Sequence, residues 1–271
     1  MATIDIDDIT TYYERSGHGP AMLFVHGMCG DAEVWAEQAR RFSGRFTCVR
    51  YDRRGHSRSS RGEALISAAR HADDIAALVV ALDLAPCLLV GSSGGAVIAL
   101  DVARRYGQLL HGVVLSEPPL FSLDPDAGRA AMEEMRPRLG AAMAAGGPTA
   151  ALDAIFEFMC PGLWSIIDDD RKDRYRANAD IGFTDLRSPT LDVTPADLAA
   201  VTPPVLVIAG DSSHPALRSV AHRLAAAVPD ARYVELRDCG HVTYAEQPDT
   251  FAHALSTFAA ELDRQAAPAS H

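Results

Sequence analysis

The chain has 271 residues, of which 48% are hydrophobic and 23% charged, and this much apolar surface excludes an intrinsically disordered protein. Its formal net charge of −11 at pH 7 disfavours binding to nucleic acid. The longest apolar runs, such as residues 85–90, fall far short of the roughly 20 residues that cross a bilayer, and the first residues do not resemble a secretion signal. We expect a cytoplasmic protein that binds neither nucleic acid nor membrane.

Short runs typical of β-strands alternate with helical patterns along the chain. Strands are predicted over residues 3–6, 10–15, 21–25, 46–51, 87–90, 112–115, 204–209 and 233–236, the first two as antiparallel edge strands. Helices are predicted over residues 31–42, 68–82, 96–106, 216–228 and 248–262. Because fully apolar strands separated by helices are typical of a parallel sheet covered on both faces, the pattern predicts an α/β fold.

One interval interrupts this alternation. Residues 120–202 contain helical patterns but no run typical of a strand, and several prolines and the segment Gly146-Gly147-Pro148 divide them. We interpret the interval as a helical cap inserted between two strands of a single core. The predicted core then consists of residues 1–119 and 203–271.

The cysteines indicate neither a metal site nor a disulfide framework. The five are scattered and odd in number, and none lies in a Cys-x-x-Cys pair or at a spacing typical of Cys/His metal ligands. We therefore expect reduced thiols, no metal and no cofactor.

The strongest chemical motif is Gly91-Ser92-Ser93-Gly94-Gly95, which follows one predicted strand and begins the next predicted helix. A Gly-x-Ser-x-Gly sequence in that position is typical of a nucleophile elbow, a sharp turn that presents a serine hydroxyl at the end of the sheet. Ser93 occupies the serine position, whereas Ser92 lies one residue out of register. A glycine-rich turn without chemistry is the alternative interpretation.

A second glycine-rich segment, His26-Gly27-Met28-Cys29-Gly30, follows the predicted strand 21–25. Such a loop can present a backbone amide to a developing oxyanion, and we predict that the N–H groups of Met28 and Gly94 form the oxyanion hole. Gly27 is placed among the residues that bind substrate. His26 is interpreted as a hydrogen-bonded structural residue.

The candidate general base is His241, in Cys239-Gly240-His241-Val242 between the last predicted strand and the final helix. A base must come from a loop at the same edge of the sheet as the nucleophile, and this junction lies there. Other histidines are interpreted as surface residues, namely His18, His56, His71, His111, His222, His253 and His271.

Taken in order, these motifs together with Asp52-Arg53-Arg54-Gly55-His56-Ser57-Arg58-Ser59 resemble the α/β-hydrolase superfamily over nearly the whole chain. The resemblance implies an eight-stranded, mostly parallel sheet with helices on both faces and a helical cap over the site. It also implies a serine–acid–histidine triad in that chain order, and a mainly structural turn at residues 52–59.

Two carboxylates are candidates for the acid of that triad. In most of the superfamily the acid follows the penultimate strand, where this chain has Ser213, and Asp211 is the nearest carboxylate there. Glu117 follows the strand after the nucleophile helix, and parallel strands end at one shared edge. Its surroundings resemble a branch of the superfamily, including the zearalenone-type lactonases, in which a glutamate at this place is the acid. We favour Glu117 and keep Asp211 as the alternative.

These features predict a serine hydrolase that cleaves a carboxylic ester or a lactone through an acyl-enzyme. The apolar residues of the cap and the lack of a basic cluster there favour a mid-sized, mostly apolar small molecule, with Trp164 and Phe183 as its first candidate contacts. Acyltransferase, thioesterase, C–C hydrolase and cofactor-free peroxidase activities on the same triad are alternatives, as is a ligand receptor without turnover. The oligomeric state stays open, with a homodimer as one option.

Overall fold

The computed structural model describes residues 2–188 and 191–266. Its strands are β1 (Ala2–Ile6), β2 (Ile9–Ser16), β3 (Ala21–Val25), β4 (Thr47–Tyr51), β5 (Cys87–Ser92), β6 (Leu110–Ser116), β7 (Val205–Gly210) and β8 (Ala231–Leu236). Within the described residues they form one eight-stranded sheet in the order β1-β2-β4-β3-β5-β6-β7-β8. Strand β2 is antiparallel to both of its neighbours, and all other neighbouring strands are parallel. The predicted α/β fold with a mostly parallel sheet is confirmed.

The position of β2 differs from the prediction. Strand β1 lies at the edge of the sheet, but β2 is hydrogen-bonded on both sides, with Tyr13 opposite Tyr51 of β4 and Ala2 opposite Tyr13 on the β1 side. An alternating pattern shows that one face of a strand is buried, but it does not show how many neighbours the strand has. The prediction of two edge strands here was therefore wrong for β2.

Helices cover both faces of the sheet and fill the interval between β6 and β7. They are α1 (Ala36–Phe42), α2 (Ala68–Ala81), α3 (Gly94–Tyr106), α4 (Pro125–Met159), α5 (Pro161–Ile166), α6 (Asp169–Ala177), α7 (Ala179–Arg187), α8 (Pro195–Ala199), α9 (Pro215–Ala227), α10 (Thr243–Glu246) and α11 (Pro248–Ala266). A 3₁₀ turn, Ala32–Trp35, precedes α1, and its N-cap Asp31 accepts a hydrogen bond from the amide of Glu33 at 2.9 Å.

The two faces of the sheet carry separate layers of the core because successive side chains of a strand point in opposite directions. Leu23 and Val25 of β3 belong to a layer with Ile75 of α2. Met22 and Phe24 of the same strand belong to a second layer, which contains Trp35, Phe42, Phe251 and Phe258. Strands β3, β5, β6 and β7 are thus covered on both sides, which explains their continuous apolar sequences.

Residues between Ser116 of β6 and Val205 of β7 form the helical insertion, which contains helices α4 to α8. In its described part there is no strand. The insertion interrupts the core where the sequence predicts a cap. Residues 1, 189, 190 and 267–271, which the predicted core and cap include, lie outside the described residues.

Of the described helices, α4 is long and apolar enough to cross a membrane by length and composition. It is not one straight helix, because Gly146 and Gly147 have non-helical angles and Gly147 has a φ of 67°. Glycine adopts such positive φ values without steric penalty, so the predicted break at Gly146-Gly147-Pro148 coincides with a kink between two shorter helices. Because of this kink, α4 does not form one continuous apolar helix.

Candidate active site

Ser93 lies in the sharp turn between β5 and α3. Its φ of 54° and ψ of −125° are rarely adopted by residues other than glycine, and its amide donates to the carbonyl of Ser116 at 2.8 Å. A β-carbon at Gly91 would lie 2.4 Å from the carbonyl oxygen of Gly95, and one at Gly95 would lie 2.4 Å from that of Val25. Both glycines of the motif are therefore required by the close approach of the turn to itself and to β3.

Replacement of Gly95 by alanine is expected to lower the free energy of unfolding by about 1–3 kcal/mol, because backbone atoms of β3 must move to admit the methyl group. Gly140→Ala on α4 is the matched control, since a β-carbon there would have no neighbouring atom within 4 Å and alanine is the better helix former. Urea denaturation of both variants measures the difference. Equal stability of the two variants would contradict the crowding at Gly95.

Three side chains form one hydrogen-bond chain at the carboxyl ends of the strands. Nε2 of His241 lies 3.0 Å from Oγ of Ser93, and Nδ1 lies 3.2 Å from Oε2 of Glu117. Glu117 has no exposed surface, and His241 is 7% exposed. A carboxylate beside Nδ1 favours the tautomer that carries its proton there, which leaves Nε2 free to accept the proton of the Ser93 hydroxyl.

Glu117 is fixed by more than its contact with His241. Its backbone has a φ of 53°, its Oε1 accepts a hydrogen bond from the amide of Gly210 at 2.8 Å, and its Oε2 accepts one from Oγ of Ser213 at 2.5 Å. Ser213 stands where the resemblance places the acid in most of the superfamily. Its hydroxyl here donates to the carboxylate that comes from the other strand, so a serine at that position is compatible with an acid at position 117.

Asp211 has a different environment. It is partly exposed, accepts hydrogen bonds from Oγ of Ser212 at 2.9 Å and from the amide of Cys239 at 3.3 Å, and makes no contact with His241. Its hydrogen bond to Ser212 comes first among the causes that lower its pKa, with the backbone amides of Cys239 and Asp238 adding to it. The geometry thus brings Glu117, and not Asp211, to the imidazole.

A carboxylate that sequence reasoning missed holds the loop of His241. Glu246 of α10 accepts the amide of Gly240 at 2.8 Å and the amide of Val242 at 2.9 Å, the two residues on either side of the imidazole. A β-carbon at Gly240 would lie 2.7 Å from that carboxylate. The signal was an acidic residue in the first turn of a helix directly after the loop, where free amides need acceptors.

The amide nitrogen of Met28 lies near Gly94, and the preceding residue, Gly27, lies near the side chain of Ser93. A β-carbon at Gly94 would be 3.8 Å from the amide nitrogen of Met28, and one at Gly27 would be 3.7 Å from Oγ of Ser93. Within the described residues the amides of Met28 and Gly94 donate no hydrogen bond. Two unpaired amides next to a hydroxyl can donate hydrogen bonds to a negatively charged oxygen, which is what an oxyanion hole requires.

Ser93 and His241 open into a cavity of about 210 Å³ between the sheet edge and the helical insertion. Sites for drug-sized ligands typically span about 300–1,000 Å³, so this one suits a smaller molecule. No Asp, Glu, Lys or Arg is among the described residues that line it. Gly27, which the sequence places among the substrate-binding residues, is part of the lining. The apolar walls consist of Met28, Val34, Pro119, Phe121, Ala131, Met132, Met135, Ile155, Phe156, Phe158, Met159, Leu186 and Val242.

Trp164 and Phe183, the predicted substrate contacts, are not part of this lining. Both are buried, and the ring of Trp164 packs at 4.6 Å from that of Phe156 and at 6.1 Å from that of Tyr175. Phe156 and Tyr175 line the cavity themselves, so Trp164 lies one layer behind its wall. We therefore expect a ligand in the cavity to contact Phe156 and its neighbours instead of Trp164 and Phe183. The sequence did not indicate this, because helical periodicity does not reveal which buried face meets a cavity.

Cys160 is a second potential nucleophile in the cavity wall. Burial raises the pKa of its thiol well above the usual value, and the negative charges of Glu246 and Glu117 add to the effect. Because the thiolate is the reactive form, Cys160 is a poor nucleophile near neutral pH. Of the two side chains, Ser93 is the one whose oxygen lies at hydrogen-bond distance from an imidazole.

Comparison with known proteins adds to this geometry. The sequence profile of the alpha/beta hydrolase family matches residues 22–254, which include Ser93, Glu117 and His241. The chain belongs to the alpha/beta hydrolase family. A serine hydroxyl, an imidazole and a carboxylate in hydrogen-bond order at the end of a parallel sheet agree with that membership.

Relatives of this alpha/beta hydrolase include enzymes with hydrolase names. It is 28% identical over 265 residues to 2-(acetamidomethylene)succinate hydrolase of Mesorhizobium japonicum, across 94% of this chain and 93% of that one. It is 36% identical over 123 residues to the uncharacterized hydrolase YraK of Bacillus subtilis, and this match spans only 45% of each chain, about half the length of the relative.

Solved structures of the same fold cover nearly the whole chain. An alpha/beta hydrolase from Sphaerobacter thermophilus is 27% identical with a TM-score of 0.74, across 95% of this chain and 99% of that one. Est816, described as an N-acyl homoserine lactone degrading enzyme, is 22% identical with a TM-score of 0.75, across 95% of this chain and all of that one. The latter likeness shows the fold alone, and family membership makes the protein a hydrolase of the alpha/beta type.

Next to the loop of residues 26–30, this alpha/beta hydrolase contains a buried charged cluster. Arg53 is 2% exposed, its Nη1 donates to Oδ2 of Asp185 at 2.8 Å, and His56 and His71 contact its guanidinium at 3.2 and 3.0 Å. The interpretation of His56 and His71 as surface residues was wrong, because both are buried. A segment rich in arginine and histidine looks solvent-exposed in a sequence, but here the charges and ring nitrogens satisfy one another.

The charge states in this cluster follow from burial and from Arg53. Burial, with the positive charge of Arg53 adding to it, holds the pKa of His26 and His56 well below the usual value and also lowers that of His71. Burial by itself would raise the pKa of Asp185, but Arg53 and a hydrogen bond from His71 outweigh it and hold that pKa well below its usual range. At neutral pH the cluster is an ion pair surrounded by neutral imidazoles.

Proposed function

We propose that the protein is a serine hydrolase that cleaves a carboxylic ester or a lactone through an acyl-enzyme intermediate. The observation that carries the proposal is the hydrogen-bond chain from Glu117 through His241 to Ser93, which ends in an apolar cavity beside two unpaired amides. Nucleophile, base, orienting acid and oxyanion donors are the groups that acyl transfer to serine requires.

Each group has one role in the proposed mechanism. His241 takes the proton of Ser93 as the hydroxyl oxygen attacks the acyl carbonyl, and the Glu117 carboxylate stabilises the imidazolium that forms. The amides of Met28 and Gly94 bind the tetrahedral oxyanion. Collapse of this intermediate expels the alcohol, which receives the proton from His241. His241 then takes a proton from water as the water attacks the acyl-enzyme, and it returns that proton to the Ser93 oxygen as the carboxylic acid leaves.

The cavity supports a mostly apolar substrate of small to medium size. Its lining holds no charged side chain among the described residues, so a carboxylate or phosphate on the substrate would lose its hydration without gaining a partner. Glu117, which follows β6 rather than the penultimate strand, resembles the acid of the branch that includes the zearalenone-type lactonases. Est816 is named as an enzyme that degrades a lactone. We therefore include lactones with esters in the proposed substrate class.

A substrate panel tests this proposal. We expect hydrolysis of p-nitrophenyl butyrate and hexanoate and of neutral lactones, with kcat/KM at least about tenfold higher than for a p-nitrophenyl monoester of succinate, because the cavity cannot solvate its carboxylate. A fluorophosphonate probe is expected to label Ser93 in the wild-type protein. Absence of both hydrolysis and labelling would contradict the proposal, and acyl transfer or C–C cleavage without ester hydrolysis would replace it.

A further inference from the structure

The peptide between Gly27 and Met28 is held from its carbonyl side. Nη2 of Arg53 donates to the Gly27 carbonyl at 3.1 Å, and Nδ1 of His26 lies 2.9 Å from the same oxygen. Nε2 of His26 accepts a hydrogen bond from the amide of Arg53 at 3.0 Å, so in the neutral ring the proton is on Nδ1, which donates to Gly27. In a trans peptide the N–H points away from the C=O, and the Met28 amide is thereby turned away from the cluster.

Arg53 connects this carbonyl to the helical insertion. Its Nη1 is paired with Asp185 of α7, and within the described residues Asp185 is the one carboxylate at ion-pair distance from this guanidinium. The guanidinium is a rigid planar fork, so a carboxylate that fixes Nη1 also fixes the direction of Nη2. Asp185 therefore acts on the Gly27 carbonyl through a single buried group.

We propose that Asp185 is a positioning residue for catalysis, because it orients Arg53, and Arg53 in turn orients the peptide whose Met28 amide forms one half of the oxyanion hole. The proposal rests on the proposed function, since an oxyanion hole has a role only in acyl transfer. It assigns to the insertion a part in catalysis besides lining the cavity, since a residue of α7 helps to set the geometry of a loop that belongs to the core.

The size of the effect follows from the remaining donors. When Asp185 is lost, His26 and the amide of Gly30 still bind the Gly27 carbonyl at 2.9 and 3.3 Å, and His71 and His56 still contact the guanidinium of Arg53 at 3.0 and 3.2 Å. Loss of Asp185 should therefore misalign the Met28 amide rather than remove it. Removing an oxyanion donor altogether costs about 10²–10³-fold in kcat, so a misaligned donor is expected to cost about 10- to 100-fold.

Asp185→Asn tests the proposal, with Asp153→Asn as the matched control. Asp153 is another aspartate of the insertion that pairs with an arginine, with Oδ2 2.9 Å from Nη2 of Arg176. This pair makes no hydrogen bond to the loop of residues 26–30. We expect Asp185→Asn to lower kcat for p-nitrophenyl butyrate about 10- to 100-fold while KM changes less than about twofold, since the cavity wall is intact. Asp153→Asn is expected to retain wild-type kcat and KM.

Affinity for a trifluoromethyl ketone separates positioning from a general loss of structure. This inhibitor adds to serine and forms an oxyanion, so its affinity should fall in Asp185→Asn by the same factor as kcat/KM. Fluorophosphonate labelling and circular dichroism check that the variant is folded, and Asp185→Ser with Asp153→Ser repeats the comparison, again without the carboxylate, if Asp185→Asn does not fold. Unchanged kcat in folded Asp185 variants, or equal losses in the Asp153 variants, overturns this inference and leaves the proposed function intact. Absence of esterase activity in the wild type counts against the proposed function instead.

Discussion

Replacement of Ser93 by alanine is expected to lower kcat for p-nitrophenyl butyrate by about 10⁵–10⁶-fold. The reason is that its Oγ, 3.0 Å from Nε2 of His241, is the atom that forms the acyl bond, and no other described nucleophile in the cavity has a base beside it. Residual hydrolysis would come from the oxyanion amides and from binding alone. Initial rates at saturating substrate measure this loss.

Ser92→Ala is the matched control for that variant. Ser92 is the neighbouring serine of the same motif and also lines the cavity, but it is the last residue of β5, and the hydrogen bond to His241 comes from Ser93. We expect Ser92→Ala to stay within about tenfold of the wild-type kcat and to react with a fluorophosphonate, which Ser93→Ala should not do. Labelling of Ser93→Ala, or its loss in Ser92→Ala alone, would show that the nucleophile is not Ser93.

The sheet was predictable because its strands carry a strong local signal. Strands such as Ala21–Val25 and Val205–Gly210 are buried on both faces, and short continuous apolar runs that alternate with helical patterns are typical of such strands. The motif around Ser93 was predictable for a related reason, since the turn tolerates only glycine where backbone oxygens come within 2.4 Å of a β-carbon. In both cases, packing restricts the residue types at adjacent positions of the sequence.

The contacts that were missed join residues far apart in the chain. Arg53 meets Asp185 across 132 positions, and nothing local to either residue distinguishes a buried ion pair from two solvated charges. The burial of His56 and His71 follows from the same pair. Trp164 was predicted to contact substrate but lies outside the cavity lining. The orientation of a helix in the insertion depends on its tertiary packing, which cannot be read from the sequence of that helix alone.

The identity of the acid leads to the second large effect, which we expect for Glu117→Gln. An amide at this position preserves shape, and its oxygen can still accept from the amide of Gly210, but it lacks the negative charge that stabilises the imidazolium of His241. An NH₂ group facing Nδ1 also favours the tautomer that carries its proton on Nε2, which then cannot accept the proton of Ser93. We expect kcat to fall about 10³–10⁴-fold with little change in KM, measured on a variant whose fold is checked by circular dichroism.

Asp211→Asn provides the comparison, because it makes the corresponding change at the carboxylate nearest to the usual acid position. Asp211 is partly exposed, and within the described residues its hydrogen bonds go to Ser212 and to backbone amides of the neighbouring loop. Its variant should therefore keep kcat within about threefold of wild type. The two outcomes are mutually exclusive, because Nδ1 of His241 can donate one hydrogen bond. The carboxylate that lies 3.2 Å from it is that of Glu117, which follows β6, and not that of Asp211, which follows β7. A large loss in Asp211→Asn with activity retained in Glu117→Gln would reverse the assignment and require the His241 loop to reorient toward β7 during turnover.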